Sequence, residues 1–170
     1  MFQKGEYVVY GVKGVCEVQD ITCLNMQGIP KDRKYYVLRP CSVRDNTIFI
    51  PVDGEKKSVL RAIMTRKEAE TFVDSIPQVE EIRVHNEKQR EAQYKEAIQS
   101  CECREWLRVI KTLYFRKQKR MAEGRKTTAM DEKYLRLAES NLQQELSMAL
   151  GISKEELEVY LSKYYEQQRR

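Results

Sequence analysis

Tyr7-Val8-Val9-Tyr10-Gly11-Val12-Lys13-Gly14-Val15-Cys16-Glu17-Val18-Gln19-Asp20-Ile21 sets the character of the first third of the chain. Two runs rich in β-branched and aromatic residues are separated by Gly11 and Gly14, the pattern of a strand, a tight turn and a second strand. Tyr36-Val37-Leu38 and Thr47-Ile48-Phe49-Ile50 follow, with Pro, Asn or Asp close to their ends, and Ser58 to Ile63 could supply a fifth strand. Short strands at this regular spacing, with turn residues between them, predict a small antiparallel barrel or sandwich. Five of the seven glycines and three of the four prolines precede residue 64. A β unit of that size is near the lower limit for independent stability.

Beyond residue 64 the apolar period becomes helical. Thr65-Arg66-Lys67-Glu68 has the spacing of a capping box, and opens a helix that runs to about Ser75, with Pro77 just past its end. A second helix over roughly 87–100 places Arg90, Tyr94, Ala97, Ile98 and Cys101 on one face. A third, 103–121, carries Trp106, Val109, Ile110, Leu113 and Tyr114 inward, and Gly124 breaks it. A fourth starts at Thr128 and carries Leu135, Ala138, Leu142, Leu146, Ala149 and Leu150, with Gly151 where a left-handed cap is expected. Ser153-Lys154-Glu155-Glu156 opens a fifth, with Leu157, Tyr160, Leu161 and Tyr164 inward. The i, i+3, i+4, i+7 spacing predicts a shared helical core. The expected class is α+β: a small antiparallel β-barrel over 1–64, then an all-α domain of about five helices over 65–170. The polar stretch from Val79 to Lys88 reads as a linker or a loop.

Composition removes several classes. The longest uncharged stretch, Ile21 to Pro30, is far shorter than a membrane helix, and the N-terminus lacks the apolar core of a secretory signal. Five cysteines, an odd number without an export signal, read as reduced thiols. A cytoplasmic monomer is expected, with no membrane partner. His85 is the single histidine, which excludes multi-histidine metal sites, and no phosphate loop, dinucleotide fingerprint or nucleophile elbow occurs. Cys101-Glu102-Cys103 lacks the two-residue spacing of zinc or redox pairs. On one helix Cys101 would face the core and Cys103 would not. No catalytic residue, cofactor or metal is assigned, and the chain is read as a non-enzyme.

Charge points to a partner. The chain carries a formal net charge of +5. Between residues 108 and 126 alone, Arg108, Lys111, Arg116, Lys117, Lys119, Arg120, Arg125 and Lys126 face only Glu123. Such a density can neutralise several phosphates, or it can be a solvated face favoured by the helix dipole. Lys88 and Arg90 extend the patch. Trp106, in register with Val109 and Leu113, is read as a core anchor rather than a wedge for DNA.

Phe2-Gln3-Lys4-Gly5-Glu6-Tyr7-Val8-Val9-Tyr10-Gly11, followed by Gly14-Val15, Tyr35-Tyr36-Val37-Leu38 and Thr47-Ile48-Phe49-Ile50-Pro51-Val52, resembles the CarD/CdnL family of bacterial transcription regulators. Leu142 to Gly151 is similar to that family's penultimate helix, and the likeness spans essentially the whole chain. The resemblance implies a Tudor-like barrel that binds the RNA polymerase β subunit, a module shared with transcription-repair coupling factors. It also implies a helical domain set against promoter DNA at the upstream edge of the bubble, modulating open-complex stability. On this reading Arg33, Arg39, Arg44, Thr47, Ile48 and Phe49 contact polymerase, and Lys88, Arg90, Arg116, Lys117, Arg120 and Lys126 contact the DNA backbone. The family's aromatic wedge, which works by entering a partly unstacked step, is missing: where the family has Asn-Trp, this chain has Asn86-Glu87. Polymerase binding therefore carries over better than bubble stabilisation. The alternative is a polymerase- or protein-binding adaptor without significant DNA contact.

Overall fold

Glycine at positive φ makes the first hairpin possible. Strand β1 (Tyr7–Tyr10) enters a single 3₁₀ turn at 11–13, and the chain leaves it at Gly14, φ 68°, as β2 (Gly14–Cys23). An L side chain is strained in that region of φ. The computed structural model describes residues 1–43, 45–53 and 60–167 and divides into two compact units, Met1–Ile63 and Met64–Arg170. The first is completed by β3 (Lys34–Pro40), β4 (Ile48–Pro51) and β5 (Leu60–Ala62). All pairings are antiparallel, in the order β4-β3-β2-β1-β5.

Alternation fills one face of this sheet. Val8, Cys16, Val18, Tyr36, Leu38, Ile50, Val52 and Leu60 form its buried cluster, with Phe2, Tyr10, Ile21 and Ile48 packed at the margin. A bulge between Val18 and Asp20 shifts the β2–β3 register. One extra residue lets the mixed run keep Val18 inside while Asp20 stays in water. The α+β class and the antiparallel β unit agree with the sequence reading, but the sheet is open rather than a closed barrel: among the described residues β4 and β5 each pair with one neighbour only. Both are short, four and three residues, and closure needs strands long enough to tilt and stagger against each other. The fifth strand is the expected one, although Ser58 and Val59 lie outside the described residues. β4 ends at Pro51, after which the Val52 N–H donates back to Lys34.

The second unit comprises α1 (Arg66–Ser75), α2 (Arg90–Gln99), α3 (Cys103–Ala122), α4 (Ala129–Leu150) and α5 (Lys154–Gln167). Their ends follow the local chemistry of capping. Thr65 Oγ1 accepts from Glu68 N at 3.2 Å while the Glu68 carboxylate accepts from Thr65 N at 2.7 Å. Ser153 and Glu156 make the same reciprocal pair before α5, Thr128 caps α4 through Asp131 N, and Gly151 ends α4 at φ 67°. α2 starts later than its periodicity predicts, because Asn86 accepts from Lys88 N at 3.0 Å and winds residues 87–89 into a 3₁₀ turn first.

Trp106 is fully buried together with Tyr94, Ile98, Leu107, Leu113, Leu146 and Leu157. Its indole N–H donates to the Ile98 carbonyl at 3.1 Å, which makes it a core anchor and removes it as a wedge. Three expectations change. Tyr114 is 42 % exposed rather than inward, because α3 outruns its cover: from Tyr114 to its end no residue is buried. Cys101 and Cys103 are both buried; Cys101 breaks the helix at φ 61°, and Cys103 begins α3 and donates to the buried Glu145 at 2.9 Å. Lys111, counted from sequence in the basic stripe, is buried and donates to the carbonyls of Ile76 and Val79. Burial lowers its pKa from the usual lysine range. The stretch after Val79 is a loop held on α3, where Ile82 N donates to Thr112 Oγ1 at 2.8 Å.

Trp106→Ala leaves a large cavity and an unpaired carbonyl. It is expected to destabilise the helical unit by about 3–5 kcal/mol, read as a shifted urea midpoint by circular dichroism, with the sheet unit unaffected.

Candidate functional site

The sequence-predicted polymerase residues gather along β3 and β4. Among the described residues β4 is an edge strand, paired only with β3 through Tyr35↔Pro51, Tyr36↔Ile50, Val37↔Phe49 and Leu38↔Ile48. Period-two alternation sends Ile50 into the core and leaves Phe49 46 % exposed. Thr47 precedes the strand and is exposed. Arg39 is on β3, ion-paired to Glu17 at 3.1 Å. Arg33 precedes β3; its guanidinium donates to the Asp53 carbonyl at 3.0 Å and lies 5.8 Å over the Tyr35 ring. Arg44 lies outside the described residues.

The predicted DNA residues split into groups. Arg90 and Arg116, from different helices, converge on the carboxylate of Glu87. Arg90 grips it in a fork, Nε to Oε2 at 2.8 Å and Nη2 to Oε1 at 2.6 Å, and Arg116 stands at 3.7 Å. Each guanidinium has a second support. Arg90 also donates to the hydroxyl of buried Tyr94, and Arg116 Nε donates to Asp131 at 2.7 Å, a carboxylate only 2 % exposed. The Arg90 hydrogen bond holds the Glu87 carboxyl below the usual range. Burial is the main cause raising the Tyr94 hydroxyl, with Arg90 opposing it.

Arg120, in the last turn of α3, donates to the Lys126 carbonyl at 3.0 Å, so Lys126 beyond the helix end folds back beside it. Lys117 is exposed and close enough to Glu139 to oppose the burial that raises that carboxyl's pKa. Lys88 is exposed beside Glu87. Sequence reasoning missed Asp131 and Tyr94 as supports and took Glu87 only as a missing aromatic. The i, i+3 spacing of Glu87 to Arg90 and the i, i+4 spacing of Arg90 to Tyr94 were the available signals. Among the described residues no group of three or more His, Cys, Asp or Glu is arranged to hold a metal ion, and no helix is long and apolar enough to cross a membrane.

Residues 2–64 match the family described as "CarD-like/TRCF RID domain", and residues 72–162 match "CarD, C-terminal domain". The chain belongs to the CarD-like family. No curated protein matches the chain significantly. The CarD-like assignment makes the chain a transcription-associated regulator that interacts with RNA polymerase. In this CarD-like chain the sheet unit with the β4 edge falls within the first match, and the Glu87–Arg90–Arg116 cluster within the second.

A carboxyl held below its ordinary pKa stabilises the fold above that ordinary value and loses the contribution as pH falls through the depressed one. Glu87 is therefore expected to titrate below the ordinary glutamate range by side-chain NMR, and Arg90→Gln to return it toward that range. Loosening of the 87–89 turn should appear on the acid side only.

Proposed function

We propose that the sheet unit binds the β subunit of RNA polymerase through the β4 edge, and that the helical unit approaches promoter DNA, so that the protein modulates open-complex stability. The observation that carries the polymerase half is Phe49, half exposed in the middle of an edge strand. An incoming strand adds to such an edge by main-chain hydrogen bonds, while outward side chains supply specificity. Arg33 and Arg39 flank Phe49 at the two ends of β3 and form the polar rim. No bond is made or broken: a ligand that binds one promoter intermediate better than another shifts its population by the difference in affinity.

The helical unit contributes charge. Of the six residues expected at DNA, Lys88, Lys117, Arg120 and Lys126 lie outside the Glu87 cluster, and they meet phosphate without reading base identity. Glu87 carries the charge least suited to a wedge beside DNA, and its hold on two arginines favours the second reading, an adaptor that binds polymerase with little DNA contact.

Two measurements test these halves separately. Phe49→Ala is expected to weaken binding to purified polymerase by about 1.5–2 kcal/mol, the scale of an interface anchor, with the circular dichroism spectrum unchanged; equal affinity for both proteins would exclude this edge. For DNA, the isolated protein should bind mixed-sequence duplex in the non-specific range, roughly 10⁻⁴–10⁻⁶ M at physiological salt. Its plot of log affinity against log salt should have a slope no steeper than about −3.6, four contacts at about 0.9 each. A slope near zero would select the adaptor reading.

A further inference from the structure

Glu87 is 70 % exposed as a side chain, yet the guanidinia that hold it are not: the side chain of Arg90 is 11 % exposed and that of Arg116 is 23 %. Their supports do not involve Glu87. Tyr94 fixes Arg90 and buried Asp131 fixes Arg116, so both cations would stay in place if the carboxylate swung away. Glu87 itself sits in a three-residue 3₁₀ turn at the surface, and a rotation of its own side chain suffices to release the pair. The fork on Glu87 spans two oxygens of one anion, the geometry that the non-bridging oxygens of a phosphodiester also present. Cations continue the surface on both sides: Lys88 is the next residue, and Arg120, four residues after Arg116, leads to Lys126.

We propose that Arg90 and Arg116 form a phosphodiester-binding site of nucleic acid that Glu87 occupies as an intramolecular competitor. The proposal rests on the DNA half of the function proposed above. In the resting protein Glu87 and the buried Asp131 together balance the charge of Arg90 and Arg116, and Glu87 is the exposed one of the two carboxylates. A backbone phosphate enters by displacing that carboxylate, whose side chain is 70 % exposed and passes into water when released. The site thus sets a threshold. Weak contact with stray duplex leaves Glu87 in place, whereas DNA presented at high local concentration, as by a polymerase already held through the other unit, displaces it.

The test uses the full chain and a short fluorescein-labelled duplex of mixed sequence, titrated by anisotropy at several salt concentrations. Glu87→Gln keeps the shape of the side chain and removes its charge. It should bind on the order of tenfold tighter than wild type, with a salt slope steeper by about 1.8, the mark of two added phosphate contacts. Glu132→Gln, which removes an exposed carboxylate from the first turn of α4, controls for net charge and should change affinity less than about twofold. Adding Arg90→Gln to Glu87→Gln should remove about half of the gained slope. The Nε–H resonances of Arg90 and Arg116 in Glu87→Gln should move on adding duplex.

If Glu87→Gln gains no more than Glu132→Gln, while Lys117→Gln with Lys126→Gln still weakens wild-type binding, the competitor role is overturned and DNA binding stands. If neither wild type nor Glu87→Gln binds duplex, both are overturned and the adaptor reading takes their place.

Discussion

A carboxylate with almost no access to water must have a cation beside it, and Asp131 is such a carboxylate. The fold places it three residues after Thr128, where its backbone N–H completes the cap of α4 while its side chain turns inward. Arg116 is the cation that answers it. Removing that guanidinium would strand a buried charge, so its position is dictated by stability before any ligand is considered. Only the remaining donors of Arg116 face outward, and they meet Glu87. The chemistry of the surface cluster is thus inherited from a requirement of the interior. The same holds for Arg90, whose guanidinium satisfies the hydroxyl of Tyr94 at the edge of the helical core.

Much of this architecture is legible in the sequence because it is decided locally. Thr65 with Glu68, Ser153 with Glu156, Thr128 and Gly151 each mark a helix end through contacts spanning three or four residues, and the structure places those ends as read. Strand identity was legible for the same reason: alternation and turn glycines act over a few positions. What escaped the sequence depends on partners distant along the chain. Lys111 reads as part of a basic stripe until the carbonyls of Ile76 and Val79 draw it inside. Tyr114 fits the apolar period of α3, but a period says nothing of where the covering helices stop. On one helix Cys101 reads as facing the core and Cys103 as pointing elsewhere, and the left-handed Cys101 between two helices puts both inside. In the cluster, the Glu87–Arg90 half was visible as neighbours on a turn; the Arg116–Asp131 half required α3 and α4 to pack.

The family expectation and the residues diverge at one point. Where the resemblance implies an aromatic side chain, this chain has an acid, and two arginines hold its carboxylate. An aromatic at that position would leave Arg90 and Arg116 without their shared anion and open to another. The substitution therefore changes the electrostatic state of the surface as well as removing a stacking group. Membership of a family fixes the fold and the class of partner, while the strength of the contact is set by such local replacements.

The proline that ends β4 has its own consequence. Because Val52 N–H points back to β3, alternation turns the main-chain groups of Ile50 and Ile48 the same way and those of Phe49 and Pro51 outward. Pro51 has no N–H to give, so within this strand the open edge offers a single two-bond station, at Phe49, and then only an acceptor. A second copy of the chain that tried to zip along this edge would find one rung of a ladder, too few to propagate, which guards an uncovered sheet margin against self-stacking. The polymerase strand proposed for this edge would meet the same shortage. For the strand partner proposed above, register on this edge would rest on one residue, and recognition would lean on the Phe49 ring more than on the backbone that carries it.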